Sequence, residues 1–171
     1  MKLIGNLLCI GFIIWVVSFF VKAEKKELPS NEVFISQFDN MGIFDKDEWK
    51  KGSVVDGVQV YTARTDDKIT KSSWLLGVKQ AGLIAISDKN DPAFESISVL
   101  ASCYNLVKGV LGRDDKDDFK IVEDTFRTAI SSEPIDNTRS DTGVIDGYRF
   151  KVQMGPVAAN LNSYSCSIKE K

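Results

Sequence analysis

The segment WLLGVKQAGLIAI, residues 74–86, indicates two adjacent strands at the centre of a sheet. Two apolar runs, residues 74–78 and 83–86, are joined by Gln80, Ala81 and Gly82. Strands that face water on one side alternate apolar and polar residues, whereas these runs are almost continuously apolar. We therefore expect both faces of these strands to be covered. The cover is either the fold itself on both faces, or the fold on one face and a partner on the other.

Upstream of these runs, the sequence predicts a short helix followed by a hairpin. Ser30 is a suitable N-cap, Glu32 lies in the first turn, and apolar residues recur at helical spacing as far as Met41. Residues 31–41 are therefore predicted to be helical. Residues 54–61 carry Asp-Gly between apolar residues, which is the signature of a type I′ hairpin turn.

Downstream, the sequence predicts two longer helices. The first begins at Asp91-Pro92, since an aspartate cap before a proline in the first helical position is a favoured start, and it ends at Gly112. The second begins near Asp115 and ends before Pro134. The apolar stripe of the first helix is expected to comprise Phe94, Ile97, Leu100, Ala101, Tyr104, Val107 and Leu111, with Cys103 near its edge.

The C-terminal part is predicted to be a polar loop, residues 131–143, followed by two strands, residues 144–154 and 161–168. The order of elements favours an α+β fold: an antiparallel sheet of about five to six strands with two principal helices packed on one face, preceded by an N-terminal signal or anchor helix. Residues 144–148 (VIDGY) repeat the pattern of residues 54–58 (VVDGV), which we attribute to shared turn chemistry rather than to duplication.

The N terminus predicts membrane targeting. Residues 3–21 form an uncharged, mostly apolar run after Lys2, and Val21-Lys22-Ala23 is typical of a signal-peptidase site that cuts between Ala23 and Glu24. The run also reaches the lower limit for a membrane span, so a retained single-pass anchor is the alternative. We expect a signal peptide or anchor at 1–23, a linker at 24–30, and one α+β domain at 31–171, located in the periplasm or secreted.

Cysteine usage fits export. Cys9 lies in the apolar run, which leaves Cys103 and Cys166 as a pair that is a candidate disulfide in an oxidising compartment. The alternative is two independent buried thiols, which is how free cysteine usually behaves.

Charge argues against nucleic acid as a partner. Removing residues 1–23 takes away Lys2 and Lys22 and no acidic residue, which leaves 20 basic residues against 24 acidic ones and a net charge of −4. Nucleic-acid binding requires a concentrated basic surface, which this balance does not suggest. Contact with a membrane is expected only through residues 3–21, if they are retained.

The chain offers no recognisable catalytic or cofactor motif. It contains no histidine, which excludes Ser-His-Asp and Cys-His catalysis and the common zinc sites. The acidic run at residues 114–118 lacks the glycine and glutamate spacing of a calcium loop, and is better explained as a helix start. We therefore predict no enzyme activity, no metal and no cofactor.

These observations favour an exported, non-enzymatic protein-binding domain of the cell envelope, of the inhibitor, immunity or assembly-accessory type. The alternatives are a small-ligand or lipid-binding periplasmic domain, or a membrane-anchored domain of unknown function. Trp49 is the candidate interface residue, because it is an apolar side chain in the charged segment 45–51, whereas Trp74 is expected in the core.

Overall fold

The computed structural model describes residues 26–66, 70–87, 92–158 and 161–171. The predicted signal segment, its cleavage residues Ala23 and Glu24, and the predicted cap Asp91 lie outside these ranges. Within them, seven strands form one antiparallel sheet in the order β1-β2-β3-β4-β7-β6-β5. The strands are β1 Lys50–Val55, β2 Val58–Asp66, β3 Thr70–Gly77, β4 Gln80–Ser87, β5 Arg139–Ile145, β6 Tyr148–Ala158 and β7 Leu161–Lys169.

Helices α1 (Asn31–Asn40), α2 (Pro92–Leu111) and α3 (Lys116–Ser131) cover one face of this sheet, and a 3₁₀ turn spans Lys46–Glu48. Helix α2 packs on β4 and β7 near the middle, α3 packs on β5 and β6, and α1 packs against α2. The α+β class and the antiparallel sheet are thus as predicted. The sheet has more strands than the predicted five to six, and α1 joins the two longer helices on the covered face.

The additional strand arises from the second Asp-Gly pair. Asp146 and Gly147 have φ angles of 50° and 85°, close to the 49° and 77° of Asp56 and Gly57, so both pairs form the same left-handed turn. The predicted loop 131–143 was therefore wrong over its second half, which is β5. Since β5 lies at the sheet edge, its polar sequence is compatible with a strand that buries little.

The apolar stripe predicted on α2 was correct at Val107, which is buried, and wrong at Phe94, Ile97 and Ala101, which are exposed. Phe94 and Ile97 are 60% and 64% exposed, whereas the side of α2 that faces the core carries Val99, Cys103, Leu106, Val107 and Val110. Apolar residues occupy more than half of the circumference of this helix, so periodicity alone does not choose the buried side. Tertiary contacts make that choice: Cys103 is bonded to the sheet and Gly109 lies against Phe38 of α1.

Aromatic rings fill the core between α1 and the first half of the sheet. Phe38 contacts the rings of Trp49 and Trp74 in edge-on geometry, with centroids 5.3 and 6.0 Å apart. Trp49 is only 6% exposed, so it offers no surface to a partner, and its placement at an interface is corrected to the core. The charged residues around it remain at the surface, because the 3₁₀ turn and β1 direct Trp49 inward while its neighbours point to solvent.

Candidate interaction surface

The face of the sheet opposite the helices, here called the outward face, is the candidate site. Successive side chains of a strand point to opposite faces, so the residues between the buried ones form this surface. On β3, for example, Ser72, Trp74 and Leu76 are buried beneath the helices, and Ser73 and Leu75 point outward. Registered pairs across the strands therefore define rows of neighbouring outward residues.

The middle of the outward face is aliphatic. Leu75, Ile84 and Ile86 lie on the adjacent strands β3 and β4 and are 39%, 53% and 41% exposed. The cross-strand partners of Ile84 are small, Ser73 on one side and Ser165 on the other, so its side chain stands clear of both. We call Leu75, Ile84 and Ile86 the aliphatic centre. These three residues belong to the apolar segment 74–86, for which the sequence predicts burial on both faces of its strands.

A groove of about 400 Å³ runs beside the aliphatic centre. It is recessed because outward positions on β3, β4 and β7 carry small residues: Ser73, Gly82, Ser165 and Ser167. The longer side chains of Arg64, Gln80 and Gln153 border it. The groove thus combines an apolar wall with hydroxyl, amide and guanidinium groups, and it lies outside the helix-covered core.

Basic residues flank the aliphatic centre on both sides. Lys50, Arg64 and Lys71 lie on β1, β2 and β3, and their outward direction follows from pairing with Thr62, Ser73 and Ile86. Arg149 and Lys151 on β6 and Lys169 on β7 form the second group. We call these the first and second basic groups.

The predicted disulfide residues do not belong to this surface. Cys103 of α2 and Cys166 of β7 are joined by a disulfide, with Cα atoms 5.6 Å apart, and both side chains are buried. The bond links the longest helix to a central strand beneath the groove. It therefore fixes the scaffold that presents the outward face and leaves no thiol on it.

The acidic run that follows α2 has its partners within the protein. Asp115 caps α3 by accepting hydrogen bonds from the backbone of Asp117 and Asp118. Both carboxylate oxygens of Asp118 accept hydrogen bonds from Arg113, at 2.7 and 3.0 Å. Among the described residues, no group of three or more His, Cys, Asp or Glu side chains could hold a metal ion.

A buried polar cluster lies under the first half of α2. Glu95 is 2% exposed and accepts a hydrogen bond from the Ser87 hydroxyl, and the Tyr164 hydroxyl also bonds to it. Because these groups are enclosed between α2 and the sheet, the carboxylate is closed to a substrate. Burial, reinforced by the negative charge of Glu95, raises the pKa of Tyr164 to about 12.

The tyrosines give a pH-dependent prediction. Burial raises the pKa of all four, Tyr61, Tyr104, Tyr148 and Tyr164, with Tyr104 and Tyr164 at about 12. In the unfolded chain the pKa of tyrosine is about 10. The contribution of these buried, protonated hydroxyls to the free energy of unfolding is therefore fully present below about pH 10 and is lost as the pH rises through about 12. In an alkaline titration, the tyrosinate absorbance of the folded protein should rise at a higher pH than that of the protein unfolded in guanidinium. Tyr164→Phe should make the free energy of unfolding fall less between neutral and alkaline pH. Coincident absorbance curves would contradict this placement of the tyrosines.

Comparisons with known proteins add no relative: no family model, no curated protein and no solved structure matches the chain. Within the part of the chain that the structure describes, none of the helices combines the length and the apolar character needed to cross a bilayer.

Proposed function

We propose that this protein is an exported, non-enzymatic protein-binding domain of the cell envelope, and that the outward face is its binding surface. The observation that carries the proposal is the aliphatic centre on strands β3 and β4, which the helices cover on one side only. A solvated sheet face alternates polar residues outward. Three neighbouring exposed aliphatic side chains on central strands are instead typical of a surface that a partner covers.

The dimensions of the outward face suit a protein partner. Seven strands at about 4.8 Å spacing span roughly 30 Å, and seven residues along a strand extend about 20 Å. The resulting area, on the order of 600 Å², approaches the roughly 800 Å² that each partner contributes to a standard interface. An apolar middle with polar and charged surroundings is also the usual anatomy of an interface.

Export is supported by the sequence and by the disulfide. The apolar run at residues 3–21 and the Val21-Lys22-Ala23 motif suit a cleaved signal, and the Cys103–Cys166 bond suits an oxidising compartment. An inhibitor, an immunity protein or an assembly accessory acts by binding another protein, which requires a stable surface and no catalytic residue.

The first experiment identifies the partner from the outward face and then measures binding. A photo-crosslinking amino acid is placed at Ile84 in the native host, with Asp124 on the exposed side of α3 as the matched position. The protein crosslinked from Ile84 and not from Asp124 is identified by mass spectrometry and purified. Its affinity is then measured for the unsubstituted protein, for Ile84→Thr and for Asp124→Thr.

We expect Ile84→Thr to weaken binding at least tenfold and Asp124→Thr to leave it unchanged. Threonine keeps the β-branched shape that suits a strand while it removes apolar area, so the fold is retained. Equal affinities for the two variants would contradict binding by the outward face. Substrate turnover that a single Asp or Glu substitution abolishes would contradict the non-enzymatic role.

The second candidate function is small-ligand binding in the groove. Its volume of about 400 Å³ lies within the usual range of ligand sites, and Arg64, Gln80 and Gln153 could orient a polar ligand. Filling the groove by Ser165→Leu would then abolish ligand binding. The same change would leave a protein partner whose contacts centre on Ile84 and Ile86 only partly weakened.

A further inference from the structure

The charge of the outward face is opposite in sign to that of the whole chain. The chain has 22 basic and 24 acidic residues. The outward strand positions that the structure describes carry the six residues of the two basic groups against one acid, Asp66. We propose that the outward face binds an acidic surface of a partner protein. This inference rests on the proposed function and names the chemistry of the partner.

The second basic group shows the charge excess most directly. Arg149 and Lys169 are paired across β6 and β7, and Lys151 lies two residues along from Arg149 on the same face. Like charges directly opposite each other in a sheet are destabilising. Among the residues that the structure describes, none places a carboxylate within ion-pair distance of these three. A partner that supplies carboxylates would remove this repulsion when it binds.

The first basic group is also largely uncompensated. Lys50 and Arg64 have no ion-pair partner in the described ranges. The Nζ atom of Lys71 lies 3.8 Å from Oδ2 of Asp66. Both side chains are more than 70% exposed, so this ion pair contributes little to stability. The negative side chains that balance the chain lie elsewhere, for example at the start of α3.

The distance between the two basic groups sets a minimum size for a partner that contacts both. Lys50 and Lys151 lie in one row of paired residues on β1 and β6, about five strand spacings or roughly 24 Å apart. A single small anion cannot contact both groups. An extended surface with carboxylates on two sides of an apolar patch can, because the aliphatic centre lies between them.

The relief of the face favours a protein surface over a membrane. Beside the aliphatic centre, the face between the basic groups contains a recess, the groove, which is lined by the small residues Gly82, Ser165 and Ser167. A bilayer surface is planar and has no side chain of fixed shape that would fill a recess. A recess suits a protruding side chain of the partner, with carboxylates around it that contact the basic groups.

A defined polymer tests the chemistry of the proposed partner. The probe is a copolymer of glutamate and tyrosine, which supplies carboxylates and apolar side chains, and a lysine–tyrosine copolymer is the control. Binding to the immobilised full protein is measured at low and high salt. We expect binding of the acidic copolymer only, with affinity that falls at least tenfold at high salt, since exposed charges are screened.

Charge reversal places the site on the outward face. Arg64→Glu combined with Lys151→Glu, one change in each basic group, is expected to weaken binding of the acidic copolymer at least tenfold. Lys116→Glu combined with Lys120→Glu makes the same change in net charge on the exposed surface of α3 and is expected to have little effect. Unfolding midpoints of both variants establish that each remains folded.

The outcomes separate this inference from the proposed function. If Ile84→Thr weakens the crosslinked partner while charge reversal and salt do not, protein binding stands and the acidic partner is wrong. If neither change affects that partner, both are wrong. Tighter face-dependent binding of phosphatidylglycerol vesicles or of duplex DNA would replace the acidic protein by a lipid or a nucleic acid. Equal losses in the two charge-reversed variants would also overturn the inference.

Discussion

Replacing Cys103 and Cys166 together by alanine is expected to lower the free energy of unfolding by about 4 kcal/mol. The two cysteines are 63 residues apart in sequence, so their bond closes a long loop in the unfolded chain. Without it, the unfolded state gains the entropy of that loop, and the native state loses a link between α2 and β7. Urea unfolding of the oxidised protein and of the double variant measures the difference.

The reductant provides the control for this prediction. Thiol reduction should shift the unfolding midpoint of the unsubstituted protein towards that of the double variant, and should leave the variant itself unchanged. Because both sulfur atoms are buried, reduction should require partial unfolding and proceed slowly under native conditions. Equal midpoints for the oxidised protein and the double variant would show that the bond contributes nothing to stability.

Local turn chemistry was the most reliable guide to the fold. Asp56-Gly57 predicted a hairpin, and the structure forms one, because few residue pairs tolerate two positive φ angles. The same chemistry at Asp146-Gly147 divides residues 144–154, which the sequence pattern predicts as a single strand, between β5 and β6. The sequence of β5 does not predict a strand, because Ser140, Asp141 and Thr142 are typical of a loop and an edge strand needs little apolar area.

Long-range packing was not accessible from sequence pattern. The buried side of α2 depends on the α1–α2 contact and on the disulfide, and neither contributes to helical periodicity. The prediction that Trp49 is exposed is wrong for a related reason. Its neighbours in sequence are charged, whereas its ring packs against Phe38 and Phe44 in the core. Neighbours in sequence describe the environment of a side chain poorly where the chain turns sharply.

The candidate surface was predictable only in part. The apolar run at residues 74–86 predicts a cover on each face of its strands. The helices cover one of these faces, and the other is the face that we propose as the binding surface. The basic groups could not be predicted, because Lys50, Arg64, Lys151 and Lys169 are distant in sequence and the chain is acidic overall. Only the strand order and register bring them onto one face.

The contact between α1 and α2 leaves no room for a side chain at Gly109, so a substitution there is expected to destabilise the protein strongly. Gly109 lies inside α2, where glycine normally costs about 1 kcal/mol relative to alanine. A Cβ added there would lie well inside van der Waals distance of Cδ1, Cε1 and Cζ of Phe38. Phe38 is fully buried and cannot retreat, because Trp49 and Trp74 pack against its ring.

We therefore expect Gly109→Ala to lower the free energy of unfolding by about 2 kcal/mol, because overpacking costs about 3 kcal/mol and the better helix propensity of alanine recovers about 1 kcal/mol. Ala101→Gly, at an exposed position of the same helix, is the matched control and should cost about 1 kcal/mol from helix propensity alone. Combining Gly109→Ala with Phe38→Leu should be less destabilising than the sum of the two changes, because the smaller side chain makes room for the methyl group. Urea unfolding of the four proteins in this cycle measures the coupling. A Gly109→Ala protein more stable than the unsubstituted one would show that α1 and α2 do not pack through Phe38 and Gly109.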